Sequence, residues 1–157
     1  MKFDPLKKRK HKSWTPKPIE VSIITVNYNG YNDTCQMIES IRKHIKSVVY
    51  EIIVVDNASQ KDEASLLRAK YPFIRTIRSR ENSGFAGGNN LGSYIAKGRY
   101  LFFLNNDTFI KEDQLRCLIE TLETRENAGG VCPLIRYADE DELIQFAGFT
   151  PLSRFTL

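Results

Sequence analysis

Cysteine and histidine are scarce in this chain, and their scarcity closes several chemical routes at once. The three cysteines, Cys35, Cys117 and Cys132, are odd in number, widely spaced and form no CxxC pair. That argues against a disulfide framework and against zinc, and predicts reduced core thiols in a cytosolic setting. His11 and His44 have no serine or cysteine nucleophile at an informative spacing, so a histidine-centred mechanism is not expected. No apolar run approaches the ~18 residues of a membrane-spanning helix. The N-terminus is basic and lacks an apolar h-region, so it does not read as a secretory signal. Neither GxGxxG nor GxxxxGK followed by Ser or Thr occurs, which leaves both common phosphate-loop mechanisms without support.

What remains is an ordinary globular composition. A length of 157 residues suits one domain with a real core, and 41% hydrophobic with 27% charged residues sets it apart from disordered chains. The net charge of +4 belongs to one segment. Residues 1–18 hold Lys2, Lys7, Lys8, Arg9, Lys10, Lys12 and Lys17 against Asp4, an excess of +6 that leaves the remainder at −2. "KKRKHK" reads as a solvated, flexible arm, with a phosphate- or membrane-attracting patch as the alternative. The domain is expected to occupy 19–157, with no nucleic-acid partner, because the rest is slightly negative and has no RNA-stacking motif.

The pattern along the domain alternates. "VSIITV" (21–26) and "YEIIVV" (50–55) are short runs dense in β-branched residues, as strands buried on both faces are. Between them Asn32 or Asp33 can cap a helix whose apolar face is Met37, Ile38, Ile41 and Ile45. A second helix turns Ala64, Leu67 and Leu66 inward and stops at Pro72. A weaker strand spans Ile74 to Ile77. "RENSGFAGGNN" (80–90) is too rich in Gly and Asn for a regular element and should open into a short helix around Leu91 to Ala96, closed by Gly98. "YLFFL" (100–104) is the fourth strand, and Leu115, Leu118, Ile119 and Leu122 mark an amphipathic helix. "VCPLI" and "LIQFAG" are apolar pieces without evident partners.

Strand and helix in alternation imply a mostly parallel α/β sheet covered on both faces, in which ligands bind outside the carboxyl ends of the strands. Those ends are "NYNG", "DNAS" and "NNDT". Singly, each is a turn or a helix cap; together on one edge they offer the donors and acceptors that a nucleotide's base and ribose need. The glycines at 84, 87 and 88 allow close backbone approach, and a helix N-terminus favours anions. Asp107 alone can hold a divalent ion if substrate phosphates and waters complete its shell.

"VSIITVNYN", "IIVVDNAS", "ENSGFAGGNNLG" and "GRYLFFLNNDT", in this order, resemble the nucleotide-sugar-binding half of glycosyltransferase family 2, with the rhamnosyltransferase-like branch closest. The resemblance covers about residues 20–150 and implies a GT-A, Rossmann-like fold. It implies that Asp56 binds the nucleobase and that Thr25, Asn27, Tyr28 and Asn29 line the same pocket. Asn57, Ser59, Asn82, Gly84, Phe85 and Asn90 join the donor site. Asn105, Asn106 and Asp107 stand at the DXD motif, with Asp107 as the principal ligand of Mg²⁺ or Mn²⁺ and Asn105 in place of a carboxylate. The implied reaction is inverting transfer from a dTDP-, UDP- or GDP-sugar to a glycan or lipid-linked acceptor.

That reaction needs a base, which the family carries well downstream of the DXD. Asp139, Glu140, Asp141 and Glu142 read as a solvated loop, so no catalytic base is assigned. The chain is therefore expected to lack most of the acceptor half, and the alternative reading is a non-catalytic nucleotide-sugar-binding module. The apolar ending "FAGFTPLSRFTL" would need cover, for which a homodimer contact is one source. The expected location is the cytoplasm, with the basic arm able to sit at the inner face of the membrane.

Overall fold

The computed structural model describes residues 17–140 and 143–148. The basic arm at 1–16, the carboxylates Asp141 and Glu142, and the segment from 149 onward lie outside the described residues. The order is β1 (Val21–Asn27), α1 (Tyr31–His44), β2 (Tyr50–Asp56), α2 (Glu63–Lys70), β3 (Arg75–Arg78), α3 (Gly84–Ser93), β4 (Tyr100–Phe103), α4 (Leu115–Thr124), β5 (Ile135–Arg136) and β6 (Ile144–Phe146).

Four strands form a parallel sheet in the order β3-β2-β1-β4. The alternation of side chains divides its core in two. Ile23, Ile52 and Val54 join Met37, Ile38 and Ile41 of α1, Leu67 of α2, and Leu115 and Ile119 of α4. Ile24, Ile53 and Val55 face the other way, onto Leu91, Ile95 and Ala96. Each buried Val or Ile contributes about 1.5–3 kcal/mol of apolar transfer, so these central strands anchor the domain. The chain steps outward from β1 to β3 and then returns across the sheet to β4. Right-handed crossovers require that the returning helix, α3, lie on the face opposite α1 and α2, as it does.

Several details depart from the sequence reading. The Gly/Asn segment is helical from Gly84, and the helix ends at Ser93 rather than near Ala96. Intrinsic propensity opposes this, but packing rewards it. A Cβ on Gly88 would stand 2.8 Å from Val26 methyls, and one on Gly92 2.5 Å from the Ile24 Cγ2. The two glycines, one turn apart, let α3 lie closer to β1 than side chains would permit. Helix α1 begins at Tyr31 behind Gly30, with no side-chain cap, so Asn32 and Asp33 fall inside its first turn. Leu66 is exposed, and so are Cys117 and Cys132; Cys35 alone among the cysteines is a core thiol. "VCPLI" and "LIQFAG" are partners of each other, forming the antiparallel β5–β6 pair.

At the edge of the sheet where its strands begin, Glu51 ties three strands together. Its carboxylate accepts from Ser22 Oγ and Lys97 N, each at 2.7 Å, and from Arg75 Nη1 at 2.9 Å. Burial pushes this carboxyl up, but the bonds from Ser22, Arg75 and Lys97 outweigh it and hold the group below its ordinary value. A folded value below the unfolded one gives stability that is complete above the ordinary glutamate range, about 4.3, and is lost as pH falls through the folded value. Glu51→Gln should therefore lower the urea midpoint at pH 7 while narrowing the gap to the parent at pH 3. Parallel stability–pH curves for the two proteins would contradict this role.

Candidate functional site

The ends of β2, β1 and β4 lie side by side because the strands are neighbours and parallel. Asn27 and Asp56 are register partners, and Asn57 N donates to Asn27 O at 2.8 Å, so pairing runs to the tip of both strands. The strand order reverses between β1 and β4, the position at which open α/β sheets form their ligand crevice. The turn and capping alternatives for "NNDT" can now be compared: α4 starts at Leu115 behind Gln114, so neither Asp107 nor Thr108 caps it.

Asp56 is fully buried. Its Oδ1 accepts from Ser59 N at 3.0 Å, its Oδ2 from Ala64 N at 3.3 Å, and Arg78 Nε stands 3.8 Å from Oδ2. The carboxylate thereby closes the β2–α2 turn and holds the start of α2. Arg78 extends the same tie, donating to Ser59 O at 3.0 Å and pairing with Asp62 at 3.3 Å. Asp62 is the N-cap of α2, accepting from Ser65 N at 3.0 Å. That backbone bond, with the Ser65 hydroxyl, holds Asp62 below the usual carboxylate range.

Asn27 is the second buried hub. Its Nδ2 donates to Glu63 Oε2 at 2.8 Å and to Ser59 Oγ at 3.3 Å, while its Oδ1 accepts from Thr34 Oγ1 at 2.8 Å. Thr34 Oγ1 in turn accepts from Asn106 Nδ2 at 3.1 Å. Asn29, at a φ of 53°, donates its N–H to Ser59 Oγ and accepts from Gln60 N, each at 2.9 Å. One polar network thus joins both helix starts to the loop after β4.

Asn57 docks the start of α3. Its Nδ2 donates to Asn82 Oδ1 at 2.8 Å and Gly84 O at 3.1 Å, and its Oδ1 accepts from Ser83 N at 3.1 Å. Asn82 Oδ1 also accepts from Gly84 N at 2.9 Å, and Gly84 takes a φ of +71°, where glycine is favoured. The helix N-terminus is therefore fixed beside the end of β2.

The remaining expected residues divide by exposure. Tyr28, Phe85, Asn90, Asn105 and Asp107 are exposed, whereas Thr25 is buried with a hydroxyl that has no partner among the described residues. Asn90 is farther along α3, where its carbonyl accepts from Tyr94 N. A cleft of about 400 Å³ opens beside the starts of α1 and α2, lined by Asn29, Gly30, Tyr31, Lys61, Glu63 and Leu66 among others. It shares Glu63 with the polar network but does not include Asp107.

The described residues contain no group of three His, Cys, Asp or Glu able to hold a metal unaided. An exposed carboxylate with a neighbouring amide does suit Mg²⁺ or Mn²⁺, which accept most of their oxygens from substrate and water.

Sequence reasoning did not single out Thr34, Glu63 or Arg78, and took Gly30 only as part of "NYNG". A signal existed for two of them. Thr34 and Glu63 stand four residues before buried Ile38 and Leu67, so each places a polar group on an apolar helical face.

Comparison with known proteins decides the family. The profile of glycosyl transferase family 2 matches residues 22–153. The chain belongs to this family. An uncharacterized glycosyltransferase of Haemophilus influenzae is 29% identical over 108 residues, covering 68% of this chain and 36% of its own. The succinoglycan biosynthesis protein ExoO of Rhizobium meliloti is 31% identical over 102 residues, covering 64% and 29%. This family 2 chain thus spans about a third of the length of those relatives. The crystal structure of S. aureus TarS residues 1–349 superimposes with a TM-score of 0.58 at 20% identity, over 73% of this chain and 39% of that one. A second TarS structure, in complex with UDP, matches at 22% identity over 67% and 33%, with the same TM-score of 0.58. The fold of this family 2 chain is accordingly GT-A, a mostly parallel α/β sheet with helices on both faces.

Proposed function

We propose that this family 2 domain binds the donor of an inverting, metal-assisted glycosyltransferase, holding a nucleotide-activated sugar at the carboxyl ends of β1, β2 and β4. The observation that carries the reading is the convergence of three polar strand ends on one edge, with the Asp107 carboxylate exposed there and unpaired among the described residues. The base of the nucleotide lies near Asp56 and the segment from Asn27 to Asn29. Asp56 and Asn57 act by fixing the loops that face it. Exposed Phe85, at the fixed start of α3, supplies apolar surface beside the helix N-terminus.

Asp107, with Asn105 beside it, holds Mg²⁺ or Mn²⁺, and such an ion, when bound, offsets the negative charge that develops on the departing diphosphate. The rhamnosyltransferase-like motifs make dTDP-linked donors one choice. TarS with UDP, a protein of the same fold, makes UDP another, and GDP remains a third. A glycan acceptor accords with the role of ExoO in succinoglycan biosynthesis. Association with an anionic membrane surface through the basic arm is part of the same proposal.

Thermal unfolding with UDP, dTDP and GDP, each with and without Mn²⁺, tests the reading. A ligand that binds only the folded state raises Tm, so at least one nucleotide should raise it, and Mn²⁺ should raise it further. No shift with any of the three contradicts donor binding. A second reading, donor binding without transfer, is favoured by Asp139 and Glu140 lying in the turn of the separate β5–β6 sheet. Release of nucleoside diphosphate from a nucleotide-sugar by this chain would exclude it.

A further inference from the structure

The buried network between Glu63 and Asn106 has a direction, and the direction follows from which groups can donate. Glu63 as a carboxylate only accepts, so the Asn27 amide must turn its NH₂ toward it. The second NH₂ proton goes to Ser59 Oγ, which completes the donors of Asn27. The Asn27 carbonyl is then left for Thr34, whose single hydroxyl proton is committed to it. Thr34 consequently meets its next neighbour as an acceptor, and Asn106 must present its NH₂ inward. An amide that turns NH₂ inward turns its carbonyl oxygen outward.

Space fixes where this amide sits. A Cβ on Gly30 would stand 2.5 Å from Asn106 Nδ2, so the glycine leaves room for the amide. The φ of Gly30 is −120°, which any residue can adopt, so its backbone does not call for glycine. Thr34 and Asn27 are fully buried and Glu63 nearly so. The bonds among Thr34, Asn27 and Glu63 are buried, the Asn106 bond at their outer end is half-buried, and reversing the buried part of the chain is costly.

We propose that Thr34 is a positioning residue: held by Asn27 and Glu63, it fixes the Asn106 amide so that its carbonyl faces the ligand edge as an acceptor for a hydroxyl of the bound nucleotide-sugar. A phosphate oxygen, which only accepts, is not matched by that group. The inference rests on the donor-binding reading for its ligand, but not for the orientation of the amide.

The test uses the full chain labelled with ¹⁵N, together with calorimetry using UDP and UDP-glucose. In the parent, the Asn106 side-chain NH₂ pair should exchange slowly with water. Thr34→Ser should keep that signature and bind within about twofold of the parent. Thr34→Val should lose it and bind about tenfold more weakly, the size of one net hydrogen bond. Gly30→Ala, which displaces the same amide without removing a buried polar group, should reproduce the loss and covers the case in which Thr34→Val does not fold. Weakening already seen with UDP assigns the hydroxyl to ribose, and weakening confined to UDP-glucose assigns it to the transferred sugar. An Asn106 NH₂ pair unchanged in both Thr34→Val and Gly30→Ala overturns the inference, as does equal binding by the Val and Ser variants. If the parent binds neither ligand while the amide responds as stated, the donor-binding reading fails and the orienting chain stands.

Discussion

Asp107→Ala should abolish the enhancement of nucleotide binding by Mn²⁺ and leave the folded domain as stable as the parent. The two halves of that expectation have one cause. The carboxylate is exposed, makes no bond to any described residue and caps no helix, so the fold loses nothing with it. A bound metal would meet an asparagine rather than a carboxylate at position 105, and the described residues hold no group of three His, Cys, Asp or Glu that could replace Asp107. Interactions with a charged group are worth about 1.5–3 kcal/mol, which is roughly ten- to a hundredfold in affinity when Mn²⁺ is present. Asn105→Ala removes a neutral oxygen and should weaken binding only a few-fold. Calorimetry on the two variants, with and without Mn²⁺, reads the difference. Parent-like nucleotide and Mn²⁺ binding by both would return "NNDT" to a simple turn.

Asp56→Ala should behave in the opposite way, as a loss of stability first and of binding second. Both carboxylate oxygens are engaged, and the substitution strands Ser59 N, Ala64 N and the Arg78 guanidinium in or beside a fully buried site. Unpaired buried donors and a broken buried ion contact cost about 3 kcal/mol or more in sum. Asp56→Asn keeps one acceptor and should cost less. Urea midpoints for these two variants, set beside Asp107→Ala, separate a residue that builds the edge from one that faces it. A midpoint for Asp56→Ala equal to that of the parent would show that the β2–α2 turn does not depend on this carboxylate.

The contrast between the two aspartates also marks what a sequence can convey. β1 and β2 were legible because strands buried on both faces must be continuously apolar, and each run stops where the polar edge begins. α1 was legible from Met37, Ile38, Ile41 and Ile45, all of which are buried. α3 was not, because Gly and Asn disfavour helix and the reason for accepting them, contact of Gly88 and Gly92 with Val26 and Ile24, exists only in the packed domain. The β5–β6 pairing failed for a related reason, since two short apolar pieces do not announce each other. The strand ends were correctly placed on one edge. Which of their side chains face inward was not readable, because the bonds that decide it, such as Asn27 to Glu63 and Asn57 to Asn82, join segments 25–36 residues apart.

The exposed and buried members of the edge now have separate duties. Asn27, Asp56 and Asn57 shape the loops, while Tyr28, Phe85, Asn105 and Asp107 stand where a ligand can reach them. Titration of ¹⁵N-labelled protein with UDP and Mg²⁺, followed through backbone amide shifts, tests this division most directly. The account predicts shifts concentrated at residues 27–30, 57–59, 82–85 and 105–108, with the far ends of the same strands unmoved. Shifts centred on α4 and the β5–β6 pair, with those four segments silent, would contradict it.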